Sequence, residues 1–138
     1  MTFVRLLLAA TLSLATIHAS AREPVPIVNH ENVPVAAAGA KQLSAAQVKQ
    51  AIVRATPPRP WEFTETGPGK LLATLQVRGK HTVSADIAYS ADQYSIVYRD
   101  SANMKYGSAP DGRPVIHPFY NTWIGELREA IRISLSKT

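Results

Sequence analysis

Residues 61–99, WEFTETGPGKLLATLQVRGKHTVSADIAYSADQYSIVYR, decide the fold. Apolar side chains alternate with polar ones in four runs: Trp61 and Phe63; Leu71, Ala73, Leu75 and Val77; Val83, Ala85, Ile87 and Tyr89; Tyr94, Ile96 and Tyr98. Such alternation marks strands with one face buried and the other in water. Facing residues in a ladder share a face, so the loops must bring apolar sets together. A three-residue turn at Gly67-Pro68-Gly69 sets Phe63 opposite Ala73. A three-residue turn at Gly79-Lys80-His81 sets Val77 opposite Val83 and Leu75 opposite Ala85, and a four-residue turn at Ser90–Gln93 sets Tyr89 opposite Tyr94 and Ile87 opposite Ile96. All three are common hairpin lengths. A two-residue turn at Gly79-Lys80 would put Val77 opposite Thr82 and mix the faces, and is rejected. The second face holds Thr64, Thr74, Gln76, Thr82, Ser84, Asp86 and Arg99, with Asp86 and Arg99 placed to pair diagonally.

Helices flank this meander. Ser44 and Gln47 form a capping box, Leu43 and Val48 a hydrophobic staple, and Val48, Ala51, Ile52 and Ala55 an apolar stripe. Pro57-Pro58-Arg59-Pro60 ends that helix, because proline restrains its predecessor from helical angles. After a loop from about Asp100 to Ile116, a last helix runs from about Pro118 to Ser136, with Tyr120, Trp123, Ile124, Leu127, Ala130, Ile131 and Leu135 on one side. The order α-β-β-β-β-α predicts an α+β two-layer sandwich: a four-stranded antiparallel meander with the N- and C-terminal helices on one face.

The N-terminal stretch has a different character. Arg5, an apolar run from Leu6 to Ile17 and the small-x-small ending Ala19-Ser20-Ala21 predict a signal peptide over residues 1–21, cleaved between Ala21 and Arg22. The run is shorter than the roughly 20 residues a spanning helix needs, so no stable membrane insertion is expected. Residues 22–42, with Pro24, Pro26 and Pro34, read as an extended arm or linker in which Val25, Ile27, Val33 and Val35 offer a short edge strand. Residues 43–138 form the single α+β domain.

Composition narrows the chemistry. The formal charge is +5 and loses one unit with Arg5. For an exported chain this favours envelope polymers or headgroups over nucleic acid as anionic partners. The absence of cysteine excludes disulfides, thiolate metal sites, cysteine nucleophiles and a lipid-modified cysteine. The four histidines, His18, His30, His81 and His117, show no HxH or HxxxH spacing, so no metal or other cofactor is expected. No GxSxG elbow supports a serine triad. Gly67-Pro68-Gly69 lacks the helix a phosphate loop needs. Glu62, Glu65 and Asp86 lie on a flat sheet without the cleft that glycoside chemistry requires.

The more distinctive text is Tyr94-Ser95-Ile96-Val97-Tyr98, Asp100-Ser101-Ala102-Asn103-Met104-Lys105-Tyr106 and Ile116-His117-Pro118-Phe119-Tyr120-Asn121-Thr122-Trp123. With the signal peptide and the Trp-led strand, these stretches resemble a family of small uncharacterised exported proteins and lipoproteins of proteobacteria, over about residues 42–135. The resemblance implies export and a shared domain but no mechanism, and the missing cysteine departs from the lipoprotein members. The same residues have a structural reading. Tyr94 and Tyr98 face the core, Asn103 suits a turn, and Asn121 can bond free backbone groups near a helix start. In the functional reading Ser101, Asn103, Tyr106, His117, Tyr120 and Asn121 line a small recess where the loop meets the last helix. The expected function is a non-catalytic envelope module binding a protein, glycan or small ligand. The alternative is a small envelope hydrolase with its site at His117 and the 100–116 loop. Oligomeric state stays open.

Overall fold

The computed structural model describes residues 22–138; the expected signal peptide and Ala21 lie outside the described residues. Eight strands and two α-helices follow in order: β1 (Val25–Pro26), β2 (His30–Pro34), α1 (Ala45–Arg54), β3 (Glu62–Gly67), β4 (Lys70–Val77), β5 (His81–Tyr89), β6 (Gln93–Ala102), β7 (Gly107–Ser108), β8 (Pro114–Ile116) and α2 (Phe119–Ser136). The fold is α+β with antiparallel pairing throughout. None of the described helices is long and apolar enough to cross a membrane.

The meander runs β3-β4-β5-β6 as the alternation requires, yet the four-stranded sheet needs correction. It has five strands in the order β2-β6-β5-β4-β3, because β2 from the arm pairs with β6. The arm also supplies β1 to a second sheet, β1-β8-β7, whose other strands come from the stretch expected to be a loop. The arm thus supplies short edge strands, as Val25 and Val33 offered, one in each sheet. Both additions are short strands whose backbone groups are satisfied by partners far away in the chain, a pairing that local alternation does not announce.

The hairpins hold their faces while two turns differ in detail. Phe63 does face Ala73, but the extra residue sits at Thr66 as a bulge and the reversal tightens to Pro68-Gly69. Gly69 has φ 71°, which suits the position after proline in a type II turn. A Cβ there would stand 3.1 Å from the Tyr89 carbonyl oxygen. In the next hairpin Leu75 faces Val83 and Val77 faces His81, a shift of two residues from expectation. Arg78 and Gly79 both take positive φ, 58° and 62°, so the chain reverses one residue earlier. A slip of two preserves the face of every side chain, so the core survives it. Tyr89–Tyr94 and Ile87–Ile96 pair as expected, and Arg99 meets Asp86 at 3.2 Å.

Both helices lie over the apolar face. Val48, Ala51 and Ile52 of α1 and Tyr120, Trp123, Ile124, Leu127, Ile131 and Leu135 of α2 share one core with Leu71, Leu75, Val83, Ala85, Ile87 and Ile96. The capping box is formed: the Gln47 N–H donates to Ser44 Oγ, and the Ser44 N–H to Gln47 Oε1. The two helices are tied by Ser134 Oγ, which donates to the Ala51 carbonyl at 2.6 Å. Two more residues seal the core from the expected loop, Met104 and Ile116, both buried.

Candidate functional site

One bulge organises the junction of β6, the following segment and α2. The β5–β6 register runs from Ala85 opposite Tyr98 to Ser84 opposite Asp100, leaving Arg99 as the extra residue. Beyond it the alternation is reversed, so Ser101 faces the same way as Val83 and as Tyr98. This explains why the Tyr98 and Ser101 hydroxyls stand 2.8 Å apart. Tyr106 stacks on Tyr98 with centroids at 4.9 Å, and Tyr120 meets the edge of Tyr98 at 5.4 Å. Burial pushes the Tyr120 phenol far above its ordinary value, and the nearby Tyr98 adds to this. Ser101 and Tyr120 are thus engaged with Tyr98, and Tyr106, itself exposed, lies over the Tyr98 ring.

Asn121 is occupied too. Its Oδ1 accepts from the Val28 N–H at 3.0 Å and its Nδ2 donates to the Pro26 carbonyl at 2.9 Å, so it clamps the arm. Of the six candidate residues, Asn103 and His117 remain, and these two line a common cleft of about 170 Å³.

The cleft forms where four segments converge. The β4–β5 hairpin contributes Val77, Arg78 and His81, and the segment after β6 contributes Asn103 and Met104. His117, Phe119 and Trp123 come from the start of α2, and Arg59 from the proline-rich stretch after α1. Asn103 takes φ 57° and bridges two walls: its Nδ2 donates to the Lys80 carbonyl at 2.7 Å, and its own carbonyl accepts from His81 Nδ1–H at 2.8 Å. The His117 N–H donates to the Met104 carbonyl at 2.8 Å, joining the third wall. Met104 and Trp123 are buried and give the cleft an apolar floor. Arg59 stacks over Trp123 at 5.2 Å, and Arg22 over Phe119 at 4.8 Å.

The bonds fix the tautomers. His81 Nδ1 faces a carbonyl, so it carries the proton, and in the neutral ring Nε2 is then a lone-pair acceptor. His117 Nδ1 accepts from the Phe119 N–H at 3.1 Å, so neutral His117 carries its proton on Nε2. Burial holds the His117 imidazole below its ordinary value, with Lys105, Arg22 and His81 adding charge repulsion. His30, beside Arg128, is lowered for the same kinds of reason.

Each imidazole binds its proton less readily folded than unfolded, so unfolding takes up protons and stability falls as pH drops through the unfolded value of about 6.5. Melting temperature is therefore expected to fall between pH 7.5 and 5.5. His117→Asn, whose Oδ1 can still accept from Phe119, should flatten that slope. An unchanged slope in both His117→Asn and His30→Gln would show that neither imidazole carries the effect.

At least four other grooves are larger, two of them of note. One of about 420 Å³ on the open sheet face is lined by Pro60, Glu62, Thr74, Gln76 and Thr82, and brings no aromatic side chain. One of about 440 Å³ between β2 and α2 includes His30, Tyr94, Arg128, Glu129 and Arg132. There Arg132 is held by Glu129 at 2.7 Å and Arg128 donates to His30 Nδ1 at 3.1 Å, so its polar groups already answer one another. Among the described residues no group of three His, Asp or Glu side chains stands together as a metal site. Comparison with known proteins finds no matching family model, curated relative or solved structure.

Proposed function

We propose that the chain is an exported, non-catalytic envelope module that binds a small ligand in the cleft between the β4–β5 hairpin and the start of α2. The observation that carries this reading is the composition of the cleft wall. Apolar and aromatic side chains, Val77, Met104, Phe119 and Trp123, are interleaved with the polar groups of Arg59, Arg78, His81, Asn103 and His117. A concave apolar surface with a few placed polar groups is what small-ligand recognition requires. Catalysis by acyl transfer would need a nucleophile beside one of the imidazoles, and no serine, threonine or carboxylate lines the cleft. Export rests on the tripartite segment before Arg22 and on the resemblance to exported proteobacterial proteins.

A fragment screen followed by amide chemical shifts tests the binding role. Hits should shift Met104, His81 and Trp123, and Val77→Phe, which puts a ring into the cleft, should abolish those shifts. Hydrolytic turnover lost in His117→Ala with the fold retained would replace this reading with the envelope hydrolase. For export, mass spectrometry of envelope-fraction protein should find Arg22 at the N-terminus, and an intact Met1 there would refute it.

A further inference from the structure

We infer that the cleft selects a small planar anion, a single-ring aromatic carboxylate; this rests on the cleft being a binding site and adds the class of ligand. Arg59 and Arg78 stand at the cleft and no carboxylate lines it. Arg78 has no ion-pair partner among the described residues. The acid nearest Arg59 is Glu126, whose Oε2 lies 3.7 Å from Nε, beyond hydrogen-bond range. Arg59 is therefore paired in charge with Glu126 although no hydrogen bond joins them, and Arg78 is the cation at the cleft left for a ligand. A concave site rimmed by one sign of charge concentrates ligands of the other.

Donor geometry points the same way. With Nδ1 engaged by the Phe119 N–H, His117 offers Nε2–H to a ligand. Arg78 adds a guanidinium, which meets a carboxylate with paired parallel bonds. A cationic ligand would find no carboxylate in the lining and would face the guanidinium of Arg78, which has no ion-pair partner among the described residues.

Size and floor select the remainder of the ligand. A cavity of about 150 Å³ with an apolar lining accepts benzene, so a cleft of this volume takes one ring. Met104 and Trp123 floor it, and both thioether and indole contacts favour an aromatic face. The ring then lies on the floor with its carboxylate toward Arg78 and His117.

Titration of the labelled purified protein with benzoate, benzamide and benzylamine, at one pH and ionic strength, tests this. Benzoate should shift the amides of Arg78, His81, Met104 and Trp123 with millimolar affinity. Benzamide should bind about tenfold more weakly, because charge-assisted hydrogen bonds are lost, and benzylamine should leave the cleft unshifted. Arg78→Gln should weaken benzoate about five- to tenfold while benzamide is unchanged, which separates lost charge from lost fold. Equal binding of benzoate and benzamide in the cleft would overturn the anion preference and leave the binding reading standing. Benzoate shifts confined to Arg128 and Arg132 would overturn the placement. A screen in which no fragment of any charge shifts the cleft would overturn the underlying binding reading instead.

Discussion

Leu75→Ala is expected to destabilise the domain by about 2–5 kcal/mol, the range for emptying a leucine site that cannot collapse. Leu75 lies in β4, faces Val83 and is 0% exposed in the core it shares with residues of both helices. Its neighbours are anchored in different elements, so backbone movement to fill the gap would have to shift β4, β5 and a helix together. Against a total of about 5–15 kcal/mol for a domain, the loss is a large fraction. It should lower the melting temperature by about 10 °C or more. Thr82→Ala, on the open face of β5, should change stability by under about 0.5 kcal/mol. The contrast is the test, read from denaturant midpoints at constant m-value. Equal losses would mean that the open face is covered as well and that the layering is wrong.

The parts of the fold legible in the sequence share one physical property: each is specified by residues near one another in the chain. The Ser44–Gln47 capping box, the stripe from Tyr120 to Leu135 and the alternation through residues 61–99 are all local patterns. Register was recovered at Phe63–Ala73 and Ile87–Ile96, and missed by two residues at Leu75, since shifts of two leave the pattern unchanged. The chain takes the observed register through left-handed conformations at Arg78 and Gly79, and arginine announces no such preference. What escaped was non-local. The arm offered a short edge strand beside its prolines but not the partners, and His30 pairs with Ile96 and Val25 with Ile116.

The candidate site was legible as a neighbourhood rather than as a set of residues. The loop–helix junction does hold a cleft, with Asn103 and His117 in its wall. Ser101 was turned into the Tyr98 stack by the bulge at Arg99, a one-residue irregularity that no local pattern signals. His81 carried a readable hint as a histidine in a hairpin. Arg59 did not: its position over Trp123 depends on how the proline-rich stretch crosses the start of α2. Met104 looked like a loop residue because the residues flanking it, Asn103 and Lys105, take positive φ and turn it inward, where it is 3% exposed.

Asn121→Ala should release the arm. One amide side chain supplies both the acceptor for the Val28 N–H and the donor to the Pro26 carbonyl, joining segments more than 90 residues apart. Each bond contributes about 0.5–1.5 kcal/mol net, so their joint loss is expected to weaken arm docking by about 1–3 kcal/mol. The β1 ladder is only two residues long, Val25 with Ile116 and Pro26 with Val115, and proline donates no N–H. Beside this ladder the segment keeps only single bonds, from the Ile27 N–H to the Pro114 carbonyl, from Lys105 to the Arg22 carbonyl and from the Tyr98 N–H to Asn29. Amide exchange at Val25, Ile27 and Val28 should rise by about tenfold for each 1.4 kcal/mol lost, while Leu75 and Ile87 exchange as before. Asn121→Asp keeps the acceptor and loses the donor, and should give an intermediate effect. The release should reach the cleft as well. Arg22 heads the arm, its carbonyl accepts from Lys105 Nζ at 3.2 Å, and its guanidinium covers Phe119 in the cleft wall. With the arm undocked that cover is lost, and the charge repulsion from Arg22 on His117 is lost with it. The His117 imidazole should then titrate closer to about 6.5, its ordinary value, a shift measurable by NMR. Rapid exchange in β1 with no change at His117 would separate the clamp from the cleft; a protected β1 in Asn121→Ala would show that the arm is held by the ladders alone.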